Sequence, residues 1–81
     1  MKTATIHIRL KPGVLDPEGK AIEHSLMALG FAGIGQVRQA RSFEIDLNES
    51  DSTQARDIAD AMCRQLLANP VIETYDIEIS D

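Results

Sequence analysis

The chain has 81 residues, with 13 acidic against 8 basic side chains, no Trp, one Tyr and two Phe. A formal charge of −5 argues against nucleic acid or an anionic membrane as partner, and a small aliphatic core in one domain over residues 1–81 is completed most simply by another chain. One cysteine leaves no internal disulfide, and no apolar leader or membrane-length run is visible, so a reducing, cytoplasmic setting is expected.

Thr3 to Leu10 alternates, with Ala4, Ile6, Ile8 and Leu10 on one side and Thr3, Thr5, His7 and Arg9 on the other, the pattern of a half-buried strand. Lys11 to Lys20 follows as a loop. Pro12 closes the strand, Gly13 permits a sharp turn, and Asp16-Pro17 reads as a helix N-cap followed by the first helical residue. Two glycines and two lysines before a helix invite comparison with a phosphate cradle. Neither phosphate-loop spacing is met, and Pro17 removes an amide, so the loop is read as structural.

From Pro17 to Leu29 the period changes to that of a helix, with Ile22, Leu26 and Leu29 on one stripe, and Gly30 is placed to end it in a left-handed turn. Residues 34–48 read as extended. Gln39 and Arg41 share parity with Val37, Phe43, Ile45 and Leu47, so a bulge or tight hairpin is expected near Gln39-Ala40-Arg41. Asp51 with Gln54 resembles a capping box for a second helix over 53–68, whose apolar face is Ala55, Ile58, Ala59, Met62, Leu66 and Leu67. Asn69-Pro70 ends that helix, and Val71 to Ile79 alternates again.

These elements predict an α+β two-layer sandwich, an antiparallel sheet with two helices on one face. The order is βαββαβ (ferredoxin-like), or βαβαβ if the middle segment is one long bent strand.

No reactive constellation emerges. Cys63 lies beside an apolar stripe and is read as packing; His7 and His24 lack a third metal ligand at suitable spacing. Glu44, Asp46, Asp76 and Glu78 fall on polar strand faces, where with a central first strand they would flank His7 and Arg9. Lys11, Lys20, Arg38 and Arg41 are the candidate partner contacts, because arginine favours interfaces and these cations cluster at the loop and the expected bulge.

The blocks Lys11-Pro12-Gly13-Val14-Leu15-Asp16-Pro17-Glu18-Gly19-Lys20-Ala21-Ile22, Leu29-Gly30-Phe31, Val37-Arg38-Gln39, Met62-Cys63 and Leu66-Leu67-Ala68-Asn69-Pro70-Val71-Ile72-Glu73 closely resemble the PurS family. That family is the small subunit of phosphoribosylformylglycinamidine synthase in purine biosynthesis. The resemblance implies a non-catalytic subunit with no cofactor, a homodimer or homotetramer. It would help assemble the large synthetase subunit (PurL) with the glutaminase subunit (PurQ) and support ammonia transfer between them. Where the family commonly shows Gly-Lys after Val-Arg-Gln, this chain has Ala40-Arg41, and a left-handed backbone there would strain Ala40. The alternative reading is a stand-alone oligomeric domain that binds a small regulatory ligand.

Overall fold

The computed structural model describes residues 1–81. Strand β1 (Lys2–Leu10) is followed by helix α1 (Pro17–Ala28), strand β2 (Ala40–Leu47), helix α2 (Ser52–Met62) and strand β3 (Glu73–Ser80). A π-helical turn, Cys63–Leu67, continues α2. The sheet has the order β2-β1-β3, antiparallel throughout, with the first strand in the centre. The α+β antiparallel architecture therefore takes its three-stranded βαβαβ form, not the four-stranded one.

The middle strand is neither long nor bent. Its register with β1 runs unbroken from Lys2↔Leu47 to Arg9↔Ala40, so no bulge forms, and residues 34–39 lead into it as irregular chain. The inward Arg41 that argued for a break finds acceptors at the end of the sheet. Its guanidinium donates to the Leu67 carbonyl and to Glu73 Oε1, both at 3.0 Å. No residue other than glycine has positive φ, so Ala40 is unstrained.

Alternation puts Ala4, Ile6 and Ile8 under α2, where all three are essentially inaccessible together with Ala55, Ala59 and Cys63. The small side chains Ala55 and Ala59 let α2 approach β1 closely, while Phe43, Ile45, Tyr75, Ile77 and Ile79 border this core. The other face of the sheet carries no helix. There Glu44 and Glu78 flank Thr5, Ser42 and Asp76 flank His7, and Asp46 and Ser80 flank Thr3.

Only one of the two helices covers the sheet. The sole buried residue of α1 is Gly19, and its apolar side chains stand in the open: Ile22 is 41% exposed, Met27 57% and Leu29 75%. The chain consequently extends over 49 × 26 × 15 Å with a radius of gyration of 16.2 Å, where a globular chain of this length would give about 12 Å.

Candidate functional site

Three loops converge at the end of the sheet where β1 leaves and β2 and β3 begin. The first is a type II turn: Val14 N–H donates to the Lys11 carbonyl at 3.1 Å, with Pro12 and then Gly13 (φ 86°) at the central positions. Only glycine accepts that φ without strain. The third is the Asn69–Ile72 turn, whose Asn69 side chain accepts from Val71 N–H at 3.1 Å and ends the π turn ahead of Pro70. The two are tied together by Lys11 N–H donating to the Ile72 carbonyl at 2.8 Å.

The second loop, residues 36–39, is fastened by Asp16. One carboxylate oxygen accepts from Gly19 N–H at 2.9 Å, capping α1, and the other accepts from Gln39 N–H, also at 2.9 Å. Those two amides, Gln39 first, hold the Asp16 carboxyl below the usual aspartate range. One turn further along, Glu23 accepts from Val37 N–H at 3.4 Å. Gly19 fits between them because it lacks a side chain: a Cβ there would lie 2.5 Å from the Val37 carbonyl oxygen. Thus α1 is clamped at its first turns to the 37–39 segment, not laid on its own sheet. At its far end, Gly30 N–H donates to Met27 O and Phe31 N–H to Leu26 O, with Gly30 at φ 96°, which is a Schellman motif.

The four cations singled out in the sequence divide into two kinds. Arg41 is committed to Leu67 O and Glu73, whose carboxylate also accepts from Asn69 N–H at 2.7 Å. These bonds, Asn69 before Arg41, lower the Glu73 pKa. Lys20 lies 3.7 Å from Glu23, on the next turn of its own helix. Lys11 and Arg38 have no acidic partner and no side-chain acceptor. They are the only basic side chains in the chain left so, since Lys2, Arg9 and Arg64 pair with acids and Arg56 donates to Ile77 O.

Both line one cleft of about 560 Å³ beside Arg9, Gln36 and Gln39. Arg9 reaches Asp76 on the neighbouring strand at 3.2 Å. Sequence patterning did not point to Arg9 as part of this region, and it placed Gly19 in the Lys11–Lys20 loop without a packing role. A signal for Gly19 existed: glycine in a first helical turn gives up roughly 1 kcal/mol relative to alanine, which calls for a packing reason.

Elsewhere the polar side chains are spent on structure. The Cys63 thiol is fully buried under α2, and burial raises its pKa. His7 stands on the opposite face of the sheet, 3.3 Å from Ser42 Oγ and 4.0 Å from Glu78, so it cannot serve that thiol as a base. His24 is exposed on α1. Asp60 accepts from Tyr75 O–H at 2.6 Å and Arg64 Nε at 2.7 Å, which lowers the carboxyl and raises the phenol. No helix is long and apolar enough to cross a membrane.

The family model described as PurS, phosphoribosylformylglycinamidine (FGAM) synthase, matches residues 3–81. A FGAM synthase subunit PurS from Synechocystis is 45% identical over 75 residues, covering 93% of this chain and 75% of that protein. The crystal structure of Methanocaldococcus jannaschii PurS superposes with a TM-score of 0.91 at 38% identity, covering 100% of this chain and 98% of that one. A chain in the structure of PurLQS from Thermotoga maritima gives a TM-score of 0.88 at 25% identity, over 98% and 96% of the two chains. With sequence and backbone matched from end to end, the chain belongs to the PurS family of FGAM synthase.

Proposed function

We propose that this chain is the non-catalytic small subunit of a FGAM synthase, holding a large synthetase subunit (PurL) and a glutaminase subunit (PurQ) in register for ammonia transfer in purine biosynthesis. The observation that carries this reading is the uncovered apolar surface. Helix α1 presents Ile22 and Met27 to solvent, followed just past its end by Leu29 and Phe31, the last 59% exposed. An isolated chain of this size does not leave such a stripe bare without a partner for it. The Thermotoga maritima neighbour, solved as PurLQS, supports the same reading.

A second copy of this chain covers α1, giving a homodimer or a pair of dimers. The exposed apolar side chains of α1 can meet the same side chains of a second copy across a two-fold axis, as an isologous interface requires. Mass measured by light scattering should be at least twice 8.9 kDa, and Leu29→Asp with Phe31→Asp should return it to the monomer. The function is tested by measuring glutamine-dependent and ammonia-dependent FGAM formation with and without the chain. Omitting it should depress the glutamine-dependent rate at least ten-fold and spare the ammonia-dependent one; equal glutamine-dependent rates would refute the assignment.

A further inference from the structure

Every basic side chain is matched to an acceptor within the chain except Lys11 and Arg38, and both line the same cleft. The cleft is formed by the Lys11–Val14 turn on one side and residues 36–40 on the other, with Arg9 between them. Its one carboxylate, Asp16, is already occupied by Gly19 and Gln39 amides. In a chain of charge −5 this is the place where positive charge remains uncompensated.

Exposed aliphatic side chains stand on the neighbouring loops. Leu15 is 70% exposed and Val71 77%, on the two neighbouring loops, with Ile72 beside them at 38%. Ile72 and Leu15 share an adjoining depression with Arg9 and Asp16. The walls are fixed in place by the Asp16–Gln39 and Lys11–Ile72 hydrogen bonds, so the surface is preorganised.

We propose that this end of the sheet is a docking surface for an acidic, partly apolar segment of another protein subunit. Carboxylates of the segment engage Lys11 and Arg38, and its aliphatic side chains lie on Leu15, Val71 and Ile72. A free phosphate or nucleotide would use the cations but gain nothing from that apolar rim. A second copy of the chain is the other protein able to occupy it, and the two are separable because Met27, Leu29 and Phe31, assigned above to self-association, lie at the end of α1 remote from the Asp16–Gln39 clamp. The inference rests on the subunit role proposed above and assigns a surface to it.

The test compares Arg38→Glu and Lys11→Glu with Arg64→Glu, an equal charge change on the π turn outside the cleft. Each variant is titrated against the purified large synthetase and glutaminase subunits, and its mass and melting temperature are recorded. Arg38→Glu and Lys11→Glu should each weaken binding of one partner subunit at least ten-fold, make that binding less sensitive to salt, and leave mass and melting temperature unchanged. Arg64→Glu should bind as wild type does. Binding by Arg38→Glu equal to that of Arg64→Glu overturns the inference while leaving the subunit role intact. A drop in mass with partner binding retained also overturns it, making the cleft a contact between copies. Failure of the wild-type chain to bind either subunit removes the subunit role and the inference together.

Discussion

Helix α2 presses Ala55 and Ala59 against the sheet until neither is accessible, whereas α1 buries nothing larger than Gly19. Both begin with an aspartate cap and both carry an apolar stripe. The difference is in what receives the stripe: for α2 it is β1 and β3 of the same chain, whereas no strand of the chain covers that of α1. An amphipathic pattern reports that a helix has something to cover and is silent on which molecule supplies it.

The largest effect expected from this contrast is at Ile6, which is fully buried under α2. Ile6→Ala should cost about 2–5 kcal/mol, read by denaturant unfolding at any protein concentration. Ile22→Ala on α1 should hardly move the midpoint of dilute protein and should instead weaken association, visible as a concentration-dependent melting temperature. Equal losses at both sites in dilute protein would show α1 to be part of the monomer's own core.

Of this arrangement, the strands and caps were legible in the chain. Alternation located β1 and β3, the Asp16-Pro17 pair located the start of α1, and β1 proved central, but acids lie on both sides only of Thr5, while Arg9 faces Ala40 and Thr74. Their register is more particular than the pattern suggested: of the acids only Asp76 lies directly opposite His7, with Ser42 on the other side, and Glu44 and Glu78 lie opposite Thr5. What the chain concealed depends on contacts distant in sequence. Arg41 seemed misplaced because its acceptors, Leu67 and Glu73, lie 26 and 32 residues away. The cleft around Lys11 and Arg38 was hidden for the same reason, since its walls are joined by the Asp16–Gln39 bond across 23 residues of sequence.

That bond sharpens the contrast at the next level. Gly19→Ala would force the Cβ into the Val37 carbonyl and loosen the clamp. Asp16→Ala would remove the helix cap and the tether to Gln39 at once. Each should lower the melting temperature by roughly 4–8 °C, typical for losing a cap in a small domain. Amide exchange should accelerate more across residues 17–28 than in β1 and α2; equal acceleration throughout would mean that the two helices are not independent.

The smallest expected effect is the pH profile of stability. The Glu73 pKa is depressed on folding, so its contribution is complete above the ordinary value of 4.5 and is lost as pH falls through the depressed one. Cys63 and Tyr75 are raised, so their contributions are complete below the ordinary values of 9.0 and 10.0 and are lost as pH rises through the elevated ones. Thermal melts should form a plateau between these limits. Glu73→Gln should flatten the acid arm and Tyr75→Phe the alkaline arm by a few degrees each, roughly the size of one charge-assisted bond.

The π turn at Cys63–Leu67 has a counting consequence. Its Ala68 N–H reaches back five residues to the Cys63 carbonyl at 3.0 Å, one more than an α-helix spans. The surplus residue rotates the tail of the helix, leaving Leu66 83% exposed while Ala68 is buried and the Leu67 carbonyl meets Arg41. Removing Gln65 would restore regular winding, swing every later position by about 100°, and strand the guanidinium that spans the sheet's end without its carbonyl.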